Sequence, residues 1–226
     1  MKLTAFRYGS TYITERMAFQ DGREDKDIPI ALLFFLLEHK DRKLLIDVGC
    51  DTMPGFVLTE FQSPVEVLES CGVKRTEITD VFLSHAHHDH IDALRYYPQA
   101  VVHLHKNEAE EAARHLKGVG PVAWFDGRKT LWEGTEILPV GGHTAGSSVL
   151  LISRGKDTYV LCGDACYTKE NLLLQKPTGS SENLAASEQF VKTYGKPPYI
   201  PVLFHDGALV EGIGWKVLFE DEITAC

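Results

Sequence analysis

The residues with the most chemistry in this chain fall close together. Four of its ten histidines lie within six residues, in the run His85-Ala86-His87-His88-Asp89-His90. In extended backbone His85 and His87 project to the same side, because side chains alternate with a period of two. Asp89 and His90 reach a second point once the chain turns. Neutral imidazole and carboxylate suit a borderline cation such as Zn²⁺. One HxHxDH segment can therefore serve two metals a few ångströms apart.

Further metal-capable side chains each follow directly on a strand-like run. Ile137-Leu138-Pro139-Val140-Gly141-Gly142 leads into His143, Tyr159-Val160-Leu161-Cys162-Gly163 into Asp164, and Ile200-Pro201-Val202-Leu203-Phe204 into His205. Val81-Phe82-Leu83-Ser84 leads into His85 in the same way. If these strands end along one edge of a sandwich, the side chains converge on one pocket. A rigid sheet then holds the donors, and loops supply the substrate contacts.

The elements that must position them read as strands alternating with a few helices. Ala31–Leu37 and Leu44–Val48, joined by the polar His39-Lys40-Asp41-Arg42, predict an antiparallel hairpin. Ser63-Pro64-Val65-Glu66 has the signature of a capping box with Pro in the first turn, and Gly72 is a plausible stop. Strands are expected over 78–84, 101–104, 137–140, 149–153, 159–162, 200–204 and 215–219, with a turn at Arg154-Gly155-Lys156-Asp157. Helices are expected over 108–116, capped by Asn107 and ended by Gly118, and over 182–194, closed by Gly195. Lys176–Ser181 reads as an exposed loop. With no repeat and no linker, residues 1–226 are expected to form one domain, an α/β or α+β sandwich with helices covering the outer faces of packed sheets.

The ordered set of HxHxDH at 85–90, Gly142-His143-Thr144, Gly163-Asp164-Ala165 and Phe204-His205-Asp206 resembles the metallo-β-lactamase superfamily, over about residues 30–205. The resemblance implies a four-layer αββα sandwich with the metal site at one edge of the two sheets. It implies two Zn²⁺ ions, with iron, manganese or cobalt as alternatives. His85, His87 and His143 would bind the first, Asp89, His90 and His205 the second, and Asp164 would bridge them. Asp47, in Leu45-Ile46-Asp47-Val48-Gly49, is similar to an early strand-end Asp that supports the site from behind. His87 stands where the flavodiiron branch carries Glu, and Asp164 where classical β-lactamases often carry Cys.

A finer resemblance lies in Asp164-Ala165-Cys166-Tyr167-Thr168-Lys169-Glu170-Asn171, which is similar to N-acyl homoserine lactonases. There a Tyr three positions beyond the bridging Asp helps polarise the lactone carbonyl, a position Tyr167 holds. Asp164, Asp89 and Tyr167 are thus the candidate catalytic residues, Asp89 as proton donor to the leaving alkoxide. The chain departs from that branch at Ile91-Asp92-Ala93 after HxHxDH, at Gly141 before Gly-His, and in a shorter segment between Asp47 and His85. The expected function is hydrolysis of a lactone or related small ester, N-acyl homoserine lactones among the candidates. Alternatives are a thioester hydrolase of the glyoxalase II type, a phosphodiesterase, and a non-catalytic metal-dependent binding module. Only 21 residues follow His205, too few for the C-terminal extension of the glyoxalase II group.

Composition narrows the partners. Lys plus Arg total 23 against 32 Asp plus Glu, a net charge of −9 that repels phosphate backbones, so no nucleic-acid partner is expected. The longest nearly unbroken apolar run, Ile28–Leu37, falls short of the about 20 residues a membrane helix needs. With no signal-peptide core and no CxxC among five cysteines, a soluble cytoplasmic protein with reduced thiols is expected. Cys162 and Cys166 read as buried thiols. His103 and His105 read as packing or surface residues, His88 as supporting or exposed, and His39 and His115 as solvated. Asp92 is expected to cap a helix, and Asp206 either orients His205 or lies on a loop. Met17, Phe19 and Phe56 are expected to pack, or to line an acyl pocket.

Overall fold

Two long strands open the chain, β1 (Lys2–Thr14) and β2 (Asp27–His39), paired antiparallel. The apolar run 28–37 lies in β2, where alternate residues enter opposite cores. Leu33, Phe35 and Leu37 face one apolar layer, and Leu32, Phe34 and Leu36 the other. A strand buried on both faces has no polar side to alternate with, which explains the unbroken run.

The remaining strands are β3 (Arg42–Ile46), β4 (Asp80–Phe82), β5 (Val101–His105), β6 (Val122–Phe125), β7 (Lys129–Trp132), β8 (Thr135–Pro139), β9 (Ser148–Arg154), β10 (Asp157–Leu161), β11 (Tyr199–Val202) and β12 (Gly214–Glu220). They form a seven-stranded sheet, β12-β1-β2-β3-β4-β5-β6, and a five-stranded sheet, β11-β10-β9-β8-β7. The α-helices are α1 (Glu15–Ala18), α2 (Pro64–Ser70), α3 (His88–Ile91), α4 (Ala109–Ala112), α5 (Lys169–Leu173) and α6 (Leu184–Tyr194). This is a computed structural model, and it describes residues 1–221.

Three apolar layers separate four structural ones. Phe35, Phe82, Leu150, Ile152 and Phe204 pack between the sheets, with the Phe35 and Phe204 rings 4.6 Å apart. Phe34, Val65, Leu68 and Leu94 fill the space beneath α2 on the outer side of the large sheet. Val149, Leu151, Phe190 and Val191 do the same beneath α6. Helices on the outside of two packed sheets make the αββα sandwich expected from the sequence. Among the described residues no helix is long and apolar enough to cross a membrane.

Several local expectations give way. Strand β1 was not anticipated: polar Lys2, Thr4, Arg7, Ser10 and Thr11 break its apolar pattern, and its burial comes from lying between β2 and β12. Strands β6 and β7, edges of different sheets, and the short α5 also lie outside the expected elements. The expected helix 108–116 is α-helical only over α4; before it, the His105 ring rather than Asn107 accepts the cap bond, from Asn107 N–H. Ser63 makes no cap bond because its hydroxyl donates to Asp51. Lys176–Ser181 is not an exposed loop: Pro177 and Thr178 are buried, and the Gly179 and Ser180 amides donate to the Met17 carbonyl. Cys50, Cys71, Cys162 and Cys166 are free thiols, and Cys226 lies outside the described residues.

An ion network centred on buried Asp80 joins β3, β4 and β5 of the large sheet to β7 of the small one. Asp80 accepts two bonds from Arg42 and one each from His103 and Thr79, and Lys129 contacts the other His103 nitrogen at 3.1 Å. Burial works against the charged carboxylate, but those bonds outweigh it and hold Asp80 far below the usual carboxylate range. A depressed folded pKa stabilises the fold above the unfolded value of about 3.9, and the gain is lost as pH falls toward the folded value. Asp80→Asn is therefore expected to lower stability at pH 7, with the gap to wild type narrowing below about pH 4. Urea unfolding at pH 7 and pH 3 measures this; a gap that stays constant removes the electrostatic explanation.

Candidate metal centre

The strands that carry the donors all end on the same side of the sandwich. His85 follows β4, His143 follows β8, Asp164 follows β10 and His205 follows β11. Backbone bonds lock these ends together: Ser148 N–H to Ser84 O, Cys162 N–H to Val202 O, and Ala31 N–H to His205 O. At Gly163 φ is +50°, and a Cβ there would meet the Ser84 side chain at 2.7 Å, so only glycine lets Asp164 approach the HxHxDH segment this closely.

The predicted ligands form two groups. His85, His87, His143 and Asp164 offer atoms within 4.8 Å of one another, and so do Asp89, His90 and His205. Asp164 stands between them. Its Oδ2 faces His143 Nε2 at 3.4 Å and His85 Nε2 at 3.8 Å, while its Oδ1 faces His205 Nε2 at 2.9 Å and His90 Nε2 at 3.1 Å. Asp89 lies 3.5 Å from His90 Nε2 and 4.0 Å from His205 Nε2.

Four of the five rings are aimed by a contact at the nitrogen pointing away from the centre. His90 Nδ1 contacts Asp47 at 2.6 Å, His205 Nδ1 the Ala31 carbonyl at 2.9 Å, His85 Nδ1 the Ser84 hydroxyl at 3.0 Å, and His143 Nδ1 the Ser180 carbonyl. Such outer contacts fix the tautomer and leave Nε2 free to ligate. His85 Nε2 is buried with no hydrogen-bond partner. Asp47 is fully buried and also accepts from the Ser84 amide and hydroxyl.

Protonation tendencies fit the same picture. Burial and neighbouring imidazoles push His85 below its usual range, and burial does the same to His143, so both stay neutral. Burial also acts downward on His90 and His205, but Asp164 and Asp89, with Asp47 on His90, outweigh it and raise them. Burial opposes charge on Asp164, yet the surrounding imidazoles hold it well below the carboxylate range. Among the described residues no lysine or arginine pairs with Asp47, Asp89 or Asp164. Buried anionic charge matched only by imidazoles suits divalent cations, which take the place of the protons. The donor set therefore fits a pair of metal ions.

A cavity of about 320 Å³ opens over the donors. Ile13, Met17, Ile30, Met53 and Phe56 make its apolar wall, and His88, Asp89 and Glu111 line it too. Tyr167 is buried in its lining, with its ring 5.0 Å from that of His205 and 6.0 Å from that of His143. Burial, then the charges of Asp164 and Asp89, push its hydroxyl pKa well up.

Residues 33–201 match the family model described as the metallo-beta-lactamase superfamily. The chain belongs to that superfamily. N-acyl homoserine lactonase AiiB of Agrobacterium fabrum is 25% identical over 203 residues, spanning 72% of this chain and 71% of that protein. A variant of B. thuringiensis AiiA with N-decanoyl-L-homoserine at its active site superposes with a TM-score of 0.77 at 20% identity, covering 92% of this chain and 94% of that one. AidC, described as a dizinc quorum-quenching lactonase in complex with a product, gives 0.73 at 18% identity over 98% and 95% of the two chains. The superfamily sandwich thus accounts for where the donors converge.

Other expectations resolve individually. Met17 and Phe56 line the cavity, whereas Phe19 packs against the core beside it. Asp206 does not reach His205; it accepts from Ala208 N–H at 2.9 Å. Asp92 caps no helix: it accepts from the Asp51 amide and pairs with Arg95. His39 stacks on Trp132, and His115 lies half-buried 4.0 Å from Asp92, so neither is simply solvated. His88 is half-buried on the cavity rim, His103 is buried between Asp80 and Lys129, and His105 is buried against Phe125. Unforeseen were the supporting carbonyls of Ala31 and Ser180, which leave no side-chain signal. Ser84, Ile13, Ile30 and Met53 were also unforeseen, and only Ser84, adjacent to His85, was open to inference. Asp47→Ala would strand the His90 ring nitrogen and two Ser84 donors, and we expect a loss of about 3–5 kcal/mol. Urea unfolding of the zinc-free protein measures it, and a loss under about 1 kcal/mol contradicts the supporting role.

Proposed function

We propose that this protein is a dinuclear zinc hydrolase that opens a lactone or a related small, uncharged carboxylic ester bearing an apolar arm. The observation that carries the reading is the two oxygens of Asp164, one turned to each donor group, beneath a cavity with an apolar wall. The lactonases among the related proteins support the lactone class.

His85, His87, His143 and Asp164 would hold one ion, and Asp89, His90, His205 and Asp164 the other. Bound there, two such ions supply Lewis acidity and lower the pKa of water. The chain's own groups do the rest. Exposed His87 and half-buried Asp89 give access from the cavity, while the other ligands stay buried. Ile13, Met17, Ile30, Met53 and Phe56 take the substrate's apolar arm and exclude water around it. Tyr167, whose phenol keeps its proton at neutral pH, donates to the carbonyl oxygen as charge develops there. Water adds to the carbonyl carbon, and Asp89 carries the proton that this water gives up to the leaving alkoxide oxygen as the acyl C–O bond breaks. Among the described residues no lysine or arginine lines the cavity and Glu111 adds a negative charge on its rim, which favours a neutral ester over a phosphodiester or an anionic thioester.

Elemental analysis of zinc-loaded protein is expected to find two zinc ions per chain; a single ion would discredit the dinuclear centre. Tyr167→Phe should lower kcat on a responsive lactone by about 100-fold with KM little changed. Acid release across a panel of lactones and thioesters reads this out, and unchanged lactone turnover beside faster thioester cleavage would exclude the lactonase branch. Asp164→Ala is expected to lose zinc and activity together, and a folded, fully active variant contradicts the bridging role.

A further inference from the structure

Glu108 is 3% exposed, and the proposed reaction leaves it idle. Its carboxylate lies between the two loops that carry the first donor group. Oε2 accepts the Ala86 N–H at 2.9 Å. Oε1 accepts the Thr144 hydroxyl at 2.7 Å and the Gly146 N–H at 2.9 Å. Ala86 is flanked by His85 and His87, and Thr144 follows His143. A Cβ at position 146 would meet Oε1 at 2.4 Å and Cγ at 2.7 Å, so glycine is what lets the carboxylate lie against this loop. Ser147 braces the same turn by accepting the Thr144 N–H at 2.9 Å. The second donor group is aimed from elsewhere, His90 by Asp47 and His205 by the Ala31 carbonyl.

We infer that Glu108 is a positioning residue that clamps the His143 loop to the His85–His87 segment and so sets the affinity of the first metal position alone. The inference rests on the dinuclear reading of the site. The two amides rely on this one carboxylate, because each is buried and costs free energy if left unpaired, while the Thr144 hydroxyl also meets Ser147 Oγ at 2.8 Å. That demand fixes the distance between two loops that are remote in sequence. Three of the four ligands of the first position come from those loops, whereas none of the histidines of the second depends on them for its outward contact.

The test titrates zinc into the zinc-free full-length chain, with histidine ring nitrogen NMR to show which rings bind, and amide exchange of the zinc-free protein at Ala86 and Gly146. In Glu108→Gln an NH₂ must face one of the donors. Affinity at His85, His87 and His143 is expected to fall about 10–100-fold, while His90 and His205 titrate as in wild type. Exchange at Ala86 or Gly146 should quicken. Thr144→Val, which removes one donor of the three, should act in the same direction but less. Ile137→Val, a core deletion away from the clamp, should leave both positions intact. Equal loss at both positions in Glu108→Gln, or no loss, overturns the inference. Wild-type protein that takes up no zinc overturns the dinuclear reading, whereas unchanged exchange in Glu108→Gln overturns the clamp whatever the metal content.

Discussion

Imidazoles and carboxylates crowd together in this fold because most of the rings are held at their far side. Asp47, Ser84, Ala31 and Ser180 occupy the outward nitrogens of His90, His85, His205 and His143. Those contacts restrict rotation of the buried rings, whose inward nitrogens meet only one another and the site carboxylates, as His143 Nε2 meets His87 Nδ1 at 2.8 Å and His205 Nε2 meets Asp164 at 2.9 Å. With them, Nε2 atoms converge on Asp164 and the centre keeps its demand for positive charge. The rest of the architecture serves that constraint. The sheets bring strand ends together, glycine admits Asp164 against Ser84, and backbone bonds from Ser148 and Ala31 keep the edges in register.

The electrostatics of the site follow from the same arrangement. Burial favours neutral imidazoles, and His85 and His143 obey it. Near Asp47, Asp89 and Asp164 the carboxylates win instead, and His90 and His205 are driven toward protonation. The two halves of the site thus differ in charge before any ion enters. The carboxylate-rich half draws its holding contacts from the large sheet, and the histidine-rich half from the loops beside Glu108 and Ser180. The cavity adds a second asymmetry: apolar side chains from β1, β2 and α1 on one wall, the donors and acidic rim on the other.

The sequence was informative where a residue's chemistry and its neighbours in the chain coincide. HxHxDH is legible because two ligand groups depend on one short segment. His143, Asp164 and His205 are legible because each ends an apolar run. The alternation in β2 and β9 was legible as apolar content, although which residues face which core required the second sheet. Segments whose burial comes from distant neighbours were opaque. Strand β1 carries polar residues yet lies inside the sheet, and Lys176–Ser181 looks solvated yet folds onto Met17 and supports His143. Asp206 shows the converse, since adjacency to His205 suggested a contact that a backbone amide took instead.

By itself, then, the chain's order of residues determined the donor types, their order after strand-like runs and helices outside packed sheets, because periodicity and donor chemistry are local properties; the four-layer αββα arrangement was what the family resemblance implied. Tertiary structure alone decided which carbonyls hold the rings, that Glu108 reaches two remote loops, and which apolar side chains wall the cavity. Those outcomes depend on distances between segments far apart in the chain, and no local pattern encodes a distance across a fold.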